Sequence, residues 1–165
     1  MTETAVISLQ RVQSDDDIAA TKVLFLEYAE SLDFELCFQD FDREMAEFPG
    51  NYGEPEGALV LARVDGKPAG SVGLRMLCRD ADIGVICEMK RLYVRDEFRG
   101  LGLGRKLAEA ITAEGRRIGY TAMRLDTINT MQAAIQLYRS LGFAPIDRYT
   151  NIPIDGAEFY EIMLS

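Results

Sequence analysis

The pattern of hydrophobic and polar residues predicts a chain in which strands and helices are mixed. Short apolar or alternating runs predict strands at Ala5–Val12, Ala58–Val64, Pro68–Leu77, Ile83–Val94, Ala122–Thr127, Phe143–Ile146 and Ala157–Leu164. Runs with helical spacing predict helices after the N-cap candidate Ser14 and at Asp40–Phe48, Gly102–Gly119 and Thr130–Leu141. The resulting order, β-α-α-β-β-β-α-β-α-β-β, predicts an α/β fold. We expect a mixed, mostly antiparallel twisted sheet with helices on both faces.

Turn residues mark several boundaries between these elements. Asp65-Gly66 separates the second and third strands and predicts a hairpin. The helix at 130–141 is stopped by Gly142, and its N-cap is Asn129 or Thr130. No repeat or linker divides the 165 residues, so we expect a single domain spanning 1–165.

Composition argues against several classes of protein. A hydrophobic content of 48% without a membrane-length apolar run predicts a soluble protein, and the N-terminus lacks the features of a secretory signal. We therefore expect a cytoplasmic protein that does not bind a membrane. The net charge of −9 argues against nucleic-acid binding. The chain has no histidine, and its three cysteines do not have metal-ligand spacing, so we predict no metal site. The sequence leaves open whether the protein forms a homodimer.

Positive charge is concentrated in one part of this acidic chain. Residues 1–56 contain fourteen acidic and three basic residues, whereas residues 89–117 contain eight basic and four acidic residues. The basic segment surrounds a glycine-rich turn, which predicts an anionic ligand there. The alternative is a chance cluster on a solvated helix face.

The glycine-rich turn is Arg99-Gly100-Leu101-Gly102-Leu103-Gly104, between a predicted strand and an amphipathic helix. Glycines at alternate positions leave backbone N–H groups open to an anion, beside the positive end of the helix dipole. A dinucleotide fingerprint would need glycine at 105 or 107, and a P-loop would need Gly-Lys-Ser/Thr. Neither pattern is present. A purely structural turn is the remaining alternative.

What fits is the pattern Arg/Gln-x-x-Gly-x-Gly/Ala, met by Arg99, Gly102 and Gly104. At this point the sequence resembles the GNAT superfamily of N-acetyltransferases. Lys90–Val94 is similar to the fourth strand of that family and Leu137–Phe143 to its fourth-helix signature. The resemblance implies that acetyl-CoA is the co-substrate and that its acetyl group passes directly to a primary amine of a small molecule or peptide.

The resemblance also implies which residues bind acetyl-CoA. Where the fourth strand splays from the next strand, free backbone groups at Leu92 and Val94 pair with the pantetheine arm, and amides of the turn hold the pyrophosphate. Met131 stands where many members have a pantetheine-binding asparagine, which leaves the nearby Asn129 as a substitute. The predicted binding residues are Leu92, Tyr93, Val94, Arg99, Gly100, Leu101, Gly102, Leu103, Gly104, Arg105, Lys106 and Asn129.

Two residues are candidates for acid–base catalysis by the same resemblance. Glu88 matches the position of a general-base glutamate, with a raised pKa if it is partly buried. Its strand parity matches Lys90, Leu92 and Val94. The alternative is an exposed strand glutamate paired with an arginine. Tyr138 matches a tyrosine that serves as general acid beside the CoA sulfur, and the alternative is a core aromatic residue.

The acceptor is expected near the first two helices and the C-terminal hairpin. A cationic amine would be drawn to acidic residues there, unless these only form a solubilising surface. They are Glu27, Glu30, Asp33, Glu35, Asp40, Asp42 and Glu44. Leu36–Gln39 and Tyr149–Asp155 are candidate pocket lips. Two other functions stay open: a non-catalytic sensor of acetyl-CoA, and an enzyme that uses a longer acyl-CoA.

Overall fold

One seven-stranded sheet dominates the computed structural model, which describes residues 4–32, 41–151 and 155–164. The strands are β1 (Ile7–Arg11), β2 (Ala58–Val64), β3 (Lys67–Asp80), β4 (Gly84–Val94), β5 (Ala122–Ile128), β6 (Ala144–Ile146) and β7 (Ala157–Met163). The helices are α1 (Asp15–Ser31), α2 (Phe41–Ala46), α3 (Leu103–Ile118) and α4 (Gln132–Ser140), with 3₁₀ turns at Gly50–Tyr52 and Asp96–Phe98. The predicted order of strands and helices is confirmed.

The strands lie side by side in the order β1-β2-β3-β4-β5-β7-β6. Every neighbouring pair is antiparallel except β4 and β5, which are parallel. The sheet is therefore mixed and mostly antiparallel, as predicted. The β2–β3 hairpin turns at Asp65-Gly66, where both residues have positive φ, 50° and 83°. This conformation is typical of a two-residue type I′ turn.

Apolar side chains cover both faces of the sheet. On one face, Leu103, Leu107 and Ile111 of α3 pack in a core that includes Val60 of β2. On the other face, α1 and α2 pack in a second core that includes Leu61 of β2. Neighbouring residues of a strand point to opposite faces, so β2 contributes to both cores. No helix in the described ranges is long and apolar enough to cross a membrane.

Of two predicted helix N-caps, the one of α1 is confirmed and the one of α4 is wrong. Ser14 caps α1, because its Oγ accepts a hydrogen bond from the Asp17 backbone N–H at 3.1 Å. In α4, however, the cap is Met131, so the prediction of Asn129 or Thr130 is wrong. The Asn129 backbone N–H instead donates to the Gly156 carbonyl at 2.9 Å. This bond ties Asn129 to the start of β7, and the helix begins later.

A β-bulge interrupts β4 at Arg91. The pairing with β3 shifts by one residue between Ser71↔Tyr93 and Gly73↔Lys90, and Arg91 has a φ of 61°. Before the bulge the odd-numbered Cys87 and Met89 pack in the α3 core, but after it the even-numbered Leu92 and Val94 do. The predicted parity of Glu88 with these two residues is therefore wrong, because an extra residue reverses the alternation.

Tertiary contacts hold the bulge. The Arg91 Nε donates to Glu44 Oε2 at 3.3 Å, and the guanidinium lies 5.4 Å from the centre of the Phe41 ring. Positive φ is costly for a residue with a large side chain. The contacts with α2 offset that cost.

Candidate active site

A cleft opens where β4 and β5 separate. Their parallel pairing covers only Ile86–Glu88 of β4 and Ala122–Arg124 of β5. Beyond this point a cavity of about 330 Å³ lies between residues 89–94 and 125–128. Its remaining lining residues are Tyr28, Ser31, Leu32, Arg99, Met131, Ala134 and Tyr138. The strands separate as predicted, and Leu92, Tyr93 and Val94 line the cleft.

At the end of β4 the glycine-rich turn presents free backbone donors. Within the described residues, the backbone N–H groups of the six residues 100–105 donate no hydrogen bond. The first helical bond of α3 runs from the Lys106 N–H to the Gly102 carbonyl, at 3.2 Å. Free N–H groups at a helix N-terminus bind anions, because the helix dipole is positive there.

Glycine is needed at two positions of this turn. Gly100 and Gly102 have φ values of 86° and 76°, a region that favours glycine. A Cβ at either position would meet no atom within 4 Å, so the space beside the turn is open. The turn therefore gives an anion close access to the backbone.

Cationic side chains surround the turn. Arg99 is exposed and lies 3.0 Å from Asp96, and Arg105 Nη2 donates to Ser140 Oγ at 2.6 Å. Lys106 is also exposed. The Leu103 side chain is buried in the α3 core, so only its backbone is available to a ligand.

Tyr138 lies on the α4 side of the cleft and is buried, with its ring packed edge-on against Phe143 at 5.8 Å. Burial raises the pKa of Tyr138, so its phenol stays protonated at neutral pH. The side chain thus belongs to the core and also lines the cavity. A buried, protonated hydroxyl can donate a proton or a hydrogen bond into the cleft.

Asn129 is predicted to replace, at the pantetheine contact, the asparagine that is absent at Met131. Met131 lines the cleft, but Asn129 is not among the lining residues. The Asn129 side chain instead packs against Gly156, where an added Cβ would lie 2.6 Å from its Oδ1.

A second cavity of about 570 Å³ lies beside the first. It is lined by Arg43, Glu44, Glu47, Pro49, Gly50, Asn51, Tyr52, Arg75, Leu77, Glu88, Lys90, Asp126, Thr150 and Asn151. Lys90 and Asp126 line both cavities. Their side chains form an ion pair, with Lys90 Nζ 3.4 Å from Asp126 Oδ2. This ion pair therefore stands at the junction of the two cavities.

Glu88 lines the second cavity, and both of its carboxylate oxygens are occupied. Oε1 accepts from Arg75 Nη2 at 3.1 Å, and Oε2 accepts from the Tyr149 hydroxyl at 2.7 Å. Burial alone would raise the pKa of Glu88, but the charges of Lys90 and Arg75 and the Tyr149 hydrogen bond hold it below its usual range. The expected rise in pKa is therefore not found, because the buried carboxylate is ion-paired.

Sequence reasoning missed Arg75 and Asp126 as neighbours of the site, and it placed Tyr149 in a candidate pocket lip without predicting its contact with Glu88. The sequence did contain an indication for Asp126. The predicted strand Ala122–Thr127 has two charged residues, Arg124 and Asp126. A charged residue in a buried strand needs a partner or a function. The contacts of Tyr149 and Arg75 with Glu88 could not be predicted, because these residues are distant in sequence and come together only in the folded chain.

Of the four candidate acidic residues that the structure describes in the first two helices, one lines the second cavity. Glu44 lines it, but the Glu27 carboxylate binds Arg95 at 2.6 Å, and Glu30 and Asp42 are exposed. Asp33, Glu35 and Asp40 lie outside the described residues, as does the candidate lip Leu36–Gln39. Of the other candidate lip, Thr150 and Asn151 line the cavity, and residues 152–154 are outside the described ranges.

Known proteins are similar to this chain in sequence or in fold. The chain is 36% identical to an uncharacterized N-acetyltransferase of Schizosaccharomyces pombe over 160 residues, which cover 96% of each chain. A solved acetyltransferase of Streptococcus agalactiae aligns with a TM-score of 0.72 at 22% identity, covering 95% of this chain and 98% of that one. A Salmonella typhimurium protein solved with its cofactor acetyl-CoA gives 0.71 at 20% identity, covering 96% and 94%.

The family itself follows from a match across most of the chain. The model of the acetyltransferase (GNAT) family matches residues 22–143, which include the bulged strand β4, the glycine-rich turn and α4. This chain belongs to the acetyltransferase (GNAT) family.

Proposed function

We propose that this protein transfers an acetyl group from acetyl-CoA directly to a primary amine of a small molecule or peptide. The observation that carries the proposal is the turn at residues 100–105, whose six backbone N–H groups have no partner among the described residues and which directly follows Arg99, a lining residue of the cleft. These donors fit a pyrophosphate, which is the anionic part of CoA. The Salmonella typhimurium protein of the same fold was solved with acetyl-CoA, which supports the same ligand for this chain.

Acetyl-CoA also fits the rest of the cleft. In the described part of the chain, Leu92, Tyr93 and Val94 of β4 are not bridged to β5, so their backbone groups on that edge can pair with an extended pantetheine arm. Leu92, Tyr93 and Val94 would hold that arm, and Arg99, Arg105 and Lys106 would add positive charge near the phosphates. When bound, acetyl-CoA supplies an activated acyl group, its thioester.

The chain's own residues then supply the proton chemistry. Tyr138 would donate its phenolic proton to the leaving sulfur and would regain a proton from the amine nitrogen, and burial keeps its hydroxyl protonated before the step. The amine would arrive through the second cavity, which meets the cleft at Lys90 and Asp126. Two carboxylates of that cavity lie near this junction, Glu88 and Asp126. The prediction that Glu88 is the base stays a prediction.

An acceptor screen that measures the release of free CoA tests the proposal. Purified protein is mixed with acetyl-CoA and one amine at a time, drawn from monoamines, polyamines, amino acids and short peptides. We expect release above the amine-free rate with at least one class. The control is the Tyr138→Phe variant, which should bind acetyl-CoA but release CoA more slowly.

Two outcomes would contradict the proposal. If acetyl-CoA raises the melting temperature but no amine releases CoA, the protein is a sensor and not an enzyme. If butyryl-CoA is used at a higher kcat/KM than acetyl-CoA, the donor is a longer acyl-CoA.

A further inference from the structure

The Lys90–Asp126 ion pair closes the point at which β4 and β5 separate. The last bridged residues of the two strands are Glu88 and Arg124. Lys90 and Asp126 each follow two residues later, so their side chains are on the same face as that last pair. The ion pair therefore spans the apex of the cleft, where the two cavities meet.

We infer that Asp126 receives the amine of the acceptor: it binds the ammonium group in exchange for Lys90 and accepts its proton. This inference rests on the proposed acetyl transfer. In this step an N–H bond of the ammonium breaks, its electron pair stays on nitrogen, and the proton forms an O–H bond with the carboxylate. The proton later leaves to solvent through the second cavity.

Asp126 is better placed for this role than Glu88. Asp126 lines both cavities, whereas Glu88 lines only the second. The Glu88 carboxylate holds two partners within 3.1 Å, Arg75 and Tyr149, and its side chain is 3% exposed. Among the described residues, the Asp126 carboxylate has one ion-pair contact, with Lys90 Nζ at 3.4 Å, and its side chain is 16% exposed. An incoming ammonium can replace one long contact more easily than two short ones.

The titratable groups that interact electrostatically with Asp126 come from four parts of the fold. They are Lys90 of β4, Tyr28 of α1, Tyr138 of α4 and Tyr149 after β6. Burial raises the pKa of each tyrosine, and the negative charge of Asp126 raises it further. The hydroxyls around Asp126 therefore stay protonated near neutral pH. Because Lys90 and the three tyrosines can only donate protons in these states, the Asp126 carboxylate is the proton acceptor in this set.

Two small amines of nearly equal shape separate proton removal from binding. Propylamine is protonated at pH 7, whereas O-ethylhydroxylamine is uncharged and needs no base before attack. Both are short enough to enter a cavity of about 570 Å³ whatever the natural acceptor is. The assay measures kcat/KM from CoA release with each amine, after subtraction of the uncatalysed rate. The variants are Asp126→Asn and, for comparison, Glu88→Gln.

We expect Asp126→Asn to lower kcat/KM for propylamine about 100-fold at pH 7, within the usual range for loss of a general base. The loss should shrink as the pH approaches the pKa of propylamine. With O-ethylhydroxylamine the loss should stay below about threefold, because a neutral amine attacks without first losing a proton. Asp126→Glu keeps the carboxylate and should recover part of the propylamine activity. Melting curves with acetyl-CoA identify a variant that has lost its fold.

Several results would overturn the inference. Equal losses with both amines would make Asp126 a structural residue, and no loss would remove it from the amine site. If Glu88→Gln loses activity selectively with propylamine and Asp126→Asn does not, Glu88 is the base. If the wild-type protein releases CoA with neither amine, acetyl transfer to simple primary amines fails, and this inference fails with it.

Discussion

Replacement of Gly102 by aspartate puts a charged side chain into the anion-binding turn. Gly102 has a φ of 76°, and a Cβ there meets nothing within 4 Å, so the new side chain fits the free protein. Aspartate tolerates a left-handed backbone better than most residues, and we expect a cost of about 1 kcal/mol. For a domain of 165 residues this lowers Tm by about 2–4 °C.

The effect on the ligand should be larger than the effect on the fold. A ligand present at 100 times its Kd stabilises a protein by about 2.7 kcal/mol, which corresponds to a rise in Tm of about 5–11 °C at this size. In Gly102→Asp a carboxylate lies beside the six free N–H groups and repels the pyrophosphate. We therefore expect acetyl-CoA to raise the Tm of the wild-type protein but not that of the variant.

Two further variants isolate the cause. Gly102→Asn has the same size without the charge, and it should keep part of the acetyl-CoA effect. At Gly104 an added Cβ lies 3.6 Å from Leu137 Cδ2, an ordinary contact. Gly104→Ala should therefore gain up to about 1 kcal/mol of helix stability and keep the full acetyl-CoA effect. Melting curves recorded over a titration of acetyl-CoA measure all four proteins. The anion-binding role of the turn is refuted if Gly102→Asp is stabilised as much as the wild-type protein.

Three more predictions concern the catalytic and binding candidates. Tyr138→Phe should lower kcat by roughly 10–1000-fold with an unchanged Kd for acetyl-CoA, and an unchanged kcat would leave Tyr138 as a core residue only. Glu88→Gln breaks a buried ion pair and should lower stability by about 3 kcal/mol at pH 7. The folded-state pKa of Glu88 is lowered, so the pair stabilises the protein above about pH 4.3 and the stabilisation is lost as pH falls through the folded pKa. Denaturation at pH 7 and pH 3 should show a difference between the two proteins that shrinks at pH 3, and a constant difference would contradict the ion-pair explanation. Asn129→Ala should leave the Kd for acetyl-CoA within about twofold, since Asn129 does not line the cleft, and calorimetric titration that finds a large loss would restore it as a pantetheine contact.

The fold was predictable because its signals are local. The Asp65-Gly66 turn, the Ser14 cap and the apolar stripe of α3 each depend on residues close together in sequence. The bulge at Arg91 could not be predicted from a local pattern. It is held by contacts with Glu44 and Phe41, which lie about fifty residues earlier in the chain. Strand parity therefore failed where a tertiary contact overrode the local alternation.

In the candidate site, too, the features with local signals could be predicted and those that depend on distant residues could not. The turn at residues 100–105 could be predicted, because glycine spacing and charge indicate anion binding directly. The state of Glu88 could not, since Arg75 comes from β3 and Tyr149 from the segment after β6. A lowered pKa depends on these three-dimensional neighbours and not on the strand in which the residue lies.

The turn combines two kinds of positive groups that respond differently to salt. The side chains of Arg99 and Arg105 are 67% and 48% exposed, whereas the N–H donors are fixed to the backbone at the start of α3. At an ionic strength of 1 M the Debye length is about 3 Å, so the attraction of exposed side chains is largely screened while direct hydrogen bonds remain. Added salt should therefore slow the capture of an anionic ligand more than it speeds its release, since the side chains attract the ligand from a distance and the backbone holds it at contact.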